Sequence, residues 1–160
     1  MKMEIELNDK SIKSAIKQLK DYKMWIEQKE KELVERLASI GVVEIHLGYN
    51  RALKGIEKID VTSEWASPNT MIIRARGKEV AFVEFGAGLI GYGHPQADEF
   101  GVGPGTYPEG KGHWDNPNGW WYQDATGKHH SKGNEASMVM YNTARKLEQE
   151  VERVVKEVFR

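Results

Sequence analysis

Between Lys10 and Ser39 the chain holds neither glycine nor proline, and Ile12, Ile16, Leu19, Ile26, Leu33, Leu37 and Ile40 recur at spacings of three, four and seven. One face of an α-helix collects residues so spaced. Asn8 and Asp9 supply a turn and a cap before Lys10, and Gly41 follows the last periodic residue, where a helix-terminating glycine belongs. Such a helix is far longer than the usual 11–12 or so residues. A small domain does not cover all of it, which points to a neighbouring subunit. Its charge is split: Lys10, Lys13, Lys17, Lys20 and Lys23 fill the first half, and Glu27, Glu30, Glu32 and Glu35 the second. This opposes the helix dipole. The bland explanation is a solvated face. The sharper one is a contact in which the basic half of one helix meets the acidic half of the next.

The other elements are shorter. Met3 to Leu7 alternates apolar and charged residues, as a half-buried strand does. Val42 to Gly48 reads as a strand, Asn50 to Gly55 as a loop, and Ile56 to Thr62 as a weaker strand. Asn69 to Arg76 is predicted to turn at Gly77-Lys78 and pair with Glu79 to Phe85 as a hairpin. At the far end Met140, Ala144, Leu147, Val151, Val154 and Val158 alternate steps of four and three, the stripe of a C-terminal helix capped by Asn134 or Ser137.

From Ala81-Phe82-Val83-Glu84-Phe85 the sequence passes into Gly86-Ala87-Gly88-Leu89-Ile90-Gly91, and glycine, proline, tryptophan and histidine dominate to about Gly133. Within this stretch Trp120 to Asp124 and Lys128 to Ser131 flank Ala125-Thr126-Gly127 as a second hairpin. The expected fold is therefore α+β: a long N-terminal helix and a C-terminal helix packed on a small antiparallel sheet, with a long glycine- and aromatic-rich loop and hairpin inserted at 86–133. Residues 1–160 read as a single domain.

Composition narrows the chemistry. There are no cysteines, so disulfides, thiolate metal sites and cysteine nucleophiles are excluded. A net charge of −1 gives no general attraction to nucleic acid or acidic membranes. No leader-like or membrane-spanning apolar run is present, which reads as a cytoplasmic protein or one that assembles there. Gly86, Gly88 and Gly91 match a dinucleotide fingerprint, but Tyr92-Gly93-His94-Pro95 forbids the helix that must follow. Gly101 to Thr106 lacks the lysine of a phosphate loop. His94, His113, His129 and His130, near Asp98, Glu99, Asp115 and Asp124, are the best metal candidates, without any fixed ligand spacing. A small metal-dependent hydrolase with its site in the 86–133 insert, using His94, His113, Asp115 and His129, is the alternative function. Glu84 and Glu99 are the carboxylates a two-acid hydrolase would use. No cofactor is called for. A nucleic-acid binder would rest on the lysine half of the first helix.

Phe82-Val83-Glu84-Phe85-Gly86-Ala87-Gly88, then Gly119-Trp120-Trp121-Tyr122, then Met138-Val139-Met140-Tyr141-Asn142-Thr143-Ala144, in this order and spacing, resemble the small tail-component proteins of long-tailed phages, the HK-ninety-seven type. The likeness covers the C-terminal half; the first helix matches in layout only. One departure is that Ala136-Ser137-Met138 stands where the family often has a proline. The resemblance implies a structural, non-enzymatic virion protein of the neck or upper tail, a tail-completion or head–tail connector subunit. It implies a homo-oligomeric ring, a hexamer or dodecamer, between head-connector and tail-terminator or tail-tube proteins. Genomic DNA would pass through the channel without sequence-specific binding, and no membrane would be involved. Phe85, Trp114, Trp120, Trp121, Tyr122 and Tyr141 would then be interface anchors, with Gly86 and Gly88 as the hinge of the arm. Glu84 would be an edge residue facing a neighbouring subunit or strand.

Overall fold

A computed structural model describes residues 6–54, 59–91, 93–102 and 117–160 of the chain. Helix α1 (Asp9–Ala52) runs unbroken for 44 residues. A hairpin follows, β1 (Asp60–Ser67) and β2 (Thr70–Arg76), then a short helix α2 (Val80–Phe85) and a 3-10 turn (Leu89–Gly91). A second hairpin, β3 (Trp120–Asp124) and β4 (Gly127–Ser131), leads to helix α3 (Val139–Val158). The fold is α+β, with a long N-terminal helix, a C-terminal helix and two small antiparallel sheets. No helix among the described residues is long and apolar enough to cross a membrane.

Asn8 caps α1 as expected, its side-chain Oδ1 accepting the Ser11 N–H at 2.8 Å. The predicted stop at Gly41 does not occur. Val42 to Gly48 is helix, not strand, and Asn50 to Ala52 is helix, not loop. Local β-branched content loses here to tertiary packing, because Ala38, Gly41, Ile45 and Tyr49 continue a three–four stripe that is buried. The two glycines have a packing role. A Cβ at Gly41 would lie 2.5 Å from Ile73 Cδ1 and 3.1 Å from a Leu147 methyl. One at Gly48 would lie 2.5 Å from Val139 Cγ1. They let β2 and α3 approach the α1 backbone, which outweighs the roughly 1 kcal/mol that glycine costs in a helix interior.

The first hairpin also differs from expectation. Residues 70–76 pair backwards with β1, in the register Val61↔Ala75, Ser63↔Ile73 and Trp65↔Met71, with an irregularity at Ala66. The predicted partner Glu79 to Phe85 is instead α2, in which Val80 and Val83 face the core. The second hairpin forms as predicted, with Trp120↔Ser131, Trp121↔His130 and Tyr122↔His129 opposed. Of the proposed strand Met3 to Leu7, Glu6 and Leu7 are not in a strand and the rest lies outside the described residues, as do residues 56–58.

The core is a cluster of Ile45, Tyr49, Ile59, Val61, Val83 and Val139, drawn from α1, the first hairpin, α2 and the start of α3. Farther along, buried Val154 and Val158 extend the packing of α3 on α1. The contact ends near Trp25, where the Phe159 ring meets the indole edge-on at 5.8 Å. The helix continues from there for about 24 Å toward Asp9 at 1.5 Å per residue.

Candidate functional site

Where the 86–133 insert leaves the frame and returns to it, its two ends are fastened together. Ala87 and Asn134 exchange backbone hydrogen bonds of 2.9 and 3.0 Å. The Asn134 amide donates to the Phe82 carbonyl at 2.7 Å, and the Ser137 and Met138 N–H groups donate to the Val83 and Glu84 carbonyls. Gly86, Gly88 and Gly133 all have positive φ. A side chain at Gly133 would strike the Ala87 carbonyl, and one at Gly86 would lie 2.6 Å from Gly91 Cα. The Gly86–Gly88–Gly91 string is thus a backbone-on-backbone clasp. It is followed by the 3-10 turn and no α-helix, so it lacks the context of a dinucleotide fingerprint.

Glu84 sits at the centre of this clasp and is 4% exposed. Helix α3 needs it. The residue preceding α3 is Met138, at φ +50°, whose side chain cannot cap. Glu84 supplies the missing acceptor from 56 residues away: the Met140 N–H donates to Oε2 at 2.7 Å, and the Tyr141 N–H to Oε1 at 2.9 Å. A carboxylate there also meets the positive end of the helix dipole. His94 Nε2 lies 3.2 Å from Glu84 Oε1, and the Gln96 N–H donates to His94 Nδ1 at 3.1 Å. With Nδ1 accepting, the imidazole proton resides on Nε2 and is donated to Glu84. The carboxylate therefore accepts three hydrogen bonds within its own chain. The expectation of an edge residue facing a neighbour is overturned, as is the expectation of a cap from Asn134 or Ser137.

Rings close over this network. Phe85 packs on His94 at 4.5 Å and on Phe100 at 5.6 Å, and Tyr141 meets His94 edge-on at 5.5 Å. A cavity of about 630 Å³ adjoins them, lined by Tyr49, Glu84, Phe85, Phe100, Met140 and Tyr141 among others. The Tyr49 hydroxyl is buried here with no hydrogen-bond partner among the described residues. Burial, and then the charge of Glu84, push its ionisation well above the usual phenol range.

The hairpin arm presents a different surface. Trp121 is 63% exposed, with its ring 4.9 Å from that of His130 and the Lys128 ammonium 5.4 Å from its centroid. Tyr122 is 47% exposed and stacks on His129. Trp120, on the same face of β3 as Tyr122 and opposite to Trp121, is half-buried, with its ring beside Gly88.

The predicted anchors thus divide. Phe85, Gly86, Gly88 and Tyr141 belong to the clasp and its ring cluster, and Trp121 and Tyr122 to the exposed arm, with Trp120 between them. Trp114 lies outside the described residues, as do His113 and Asp115. His129 and His130 alternate across β4, and His94 is engaged with Glu84. Among the described residues no group of three or more histidine or acidic side chains could hold a metal ion. The role of Glu84 as a distant cap was not read from the sequence. Its signal was negative: the last helix opens on Ala136-Ser137-Met138 and carries no acid in its first turn, so its free N–H groups need an outside acceptor. Comparison with protein-family models, curated proteins and solved structures finds no match to this chain.

Proposed function

We propose that this chain is a ring-forming structural subunit of the neck or upper tail of a long-tailed phage, joining the head connector to the tail. The observation that carries the reading is the surface the single chain leaves uncovered. Among the described residues large apolar side chains are exposed in two places: Ile12, Ile16 and Leu19 on the free half of α1, and Trp121 and Tyr122 on the arm. Exposed aromatic anchors on a rigid support are what protein interfaces use. A patch on one part of a subunit meeting a different patch on the next gives a head-to-tail contact, which forms a ring when the rotation between subunits closes.

The resemblance of the Val83-Glu84-Phe85-Gly86, Gly119-Trp120-Trp121-Tyr122 and Met140-Tyr141-Asn142-Thr143-Ala144 segments to phage tail components supports the same reading. These segments are far apart in sequence and meet at one clasp, where Glu84 holds Tyr141 and Gly88 lies against Trp120. In this reading the clasp fixes the angle of the arm, and the arm reaches the neighbouring subunit or the adjoining connector and tail proteins. The ring is a hexamer or dodecamer, DNA passes through it, and the virion is its location.

Trp121→Ala/Tyr122→Ala tests this. The double variant keeps its circular dichroism spectrum and melting temperature, since both residues are exposed. It fails to enter tails in an assembly reaction with particles lacking the parent protein. Normal tail joining by the variant, or a parent chain that is strictly monomeric and never enters a particle, refutes the proposal.

A further inference from the structure

We propose that the free half of α1 is a sequence-independent contact for the phosphodiester backbone of duplex DNA, made by the ladder Lys10, Lys13, Lys17 and Lys20. Residues 10–23 carry five lysines against a single acid, Asp21, in a chain whose net charge is −1. This segment is thus locally basic in a chain that is close to neutral. Because α1 is unbroken, the four lysines form a rigid ridge. At 100° per residue they fall within about 80° of one another. All four are exposed, and among the described residues none pairs with a carboxylate, whereas Lys23 is within 3.7 Å of Glu27 and Lys29 within 3.0 Å of Glu32. Glu27 and Glu32 thus have basic partners, and the four lysines of the ladder have no acidic one among the described residues.

Lys10 to Lys20 spans about 15 Å of helix axis, and each of the four ammoniums, on its flexible four-carbon stem, can reach a separate backbone phosphate. The ridge also points away from the apolar stripe of Ile12, Ala15, Ile16, Leu19 and Tyr22, by about 140°. An anionic membrane engages the apolar stripe and the lysines together, whereas a phosphate strand needs the lysine ridge alone. The ladder therefore favours a polyanion in water over a lipid surface. Nothing in it reads bases, so the contact is electrostatic and independent of sequence. It stands apart from the ring reading, which uses the apolar side of this helix and the aromatic arm.

The test is fluorescence anisotropy of the full chain with a labelled random-sequence duplex at several salt concentrations. With four phosphate contacts, log K falls with log salt at a slope of about −3.6, a loss of about 150-fold between 50 and 200 mM salt. K10Q/K13Q/K17Q/K20Q abolishes binding, and K13Q alone flattens the slope by about 0.9. These residues are exposed, so the variants fold, and their solution mass equals that of the parent. Binding by the quadruple variant equal to the parent, or no parental binding at low salt, overturns the proposal. So does preferential binding to phosphatidylserine vesicles over DNA. A change in solution mass on removing the lysines would place them in a contact between subunits and overturn it as well. Loss of DNA binding with assembly intact supports the proposal and leaves the ring reading untouched.

Discussion

The two halves of α1 share one uninterrupted backbone and differ in almost everything else. From Ala38 to Ala52 the helix carries small and apolar residues on a face covered by β2, α2 and α3, with Ile45 at 2% and Tyr49 at 1% exposure. From Lys10 to Met24 it carries isoleucines and leucine at the same spacing, yet Ile12, Ile16 and Leu19 are 42–51% exposed. Periodicity alone does not distinguish a helix face packed by its own chain from one left exposed. What separates them is glycine. Gly41 and Gly48 bring other elements against the helix backbone, and the free half has none.

The largest effect should separate these halves directly. Ile45→Ala removes side-chain atoms from the centre of the core and should cost about 3–4 kcal/mol of unfolding free energy. Ile16→Ala should cost under about 0.5 kcal/mol in the isolated subunit, while weakening self-association. Urea denaturation and mass photometry on the two variants read both quantities. Similar destabilisation by the two would mean that the free half is covered within its own chain.

Glu84→Ala comes next. It leaves two N–H groups at the start of α3 and the His94 ring without their acceptor, for a loss of about 3 kcal/mol, since each buried group left unpaired costs about 1–3 kcal/mol. Glu84→Gln should recover part of this, because its carbonyl still accepts while its charge and one acceptor are gone. Urea denaturation of the two variants, with hydrogen exchange on the first turn of α3, checks it. Unchanged exchange at Met140 and Tyr141 would show that the cap is dispensable.

These two regions also mark how far the sequence could be read. The α+β class, the Asn8 cap, the second hairpin and the α3 stripe were legible because each rests on local chemistry or a long period. Val42 to Gly48 and Glu79 to Phe85 were misread for one reason: short runs of valine, isoleucine and phenylalanine suit either state, and contacts with distant segments decide between them. Glu84 was visible only as an acid beside glycines. Its partners at residues 140 and 141 are joined to it by folding, and no spacing rule reaches that far.

Gly48→Ala should have a smaller effect. The added methyl meets buried Val139 in its path, a strain of about 1–3 kcal/mol, against up to about 1 kcal/mol gained in helix propensity. The net loss should be about 1 kcal/mol by urea denaturation. Ser14→Ala, on the exposed half, receives the propensity gain without the strain and should be neutral or slightly stabilising. If Gly48→Ala stabilises the protein, α3 is free to move away from α1 and the close-packing account fails.

Tyr49→Phe should have the smallest effect near neutral pH and a distinctive one above it. The hydroxyl is buried without a partner among the described residues, so its removal costs little and relieves an unpaired polar group. In the folded chain its ionisation is pushed above the usual phenol value of about 10, by burial and then by Glu84. Below pH 10 or so Tyr49 is neutral in both states and adds no pH dependence. Above it the unfolded chain loses the proton while the folded chain keeps it, so stability falls as pH rises, by up to about 1.4 kcal/mol per pH unit. Tyr49→Phe lacks this loss. The difference in stability between variant and parent should therefore be small at pH 8 and grow in favour of the variant at pH 11, the other tyrosines being common to both. A difference that stays constant with pH would mean that the hydroxyl reaches solvent or a partner when ionised, and that the core beside the clasp opens more readily than the packing of α1 on α3 implies.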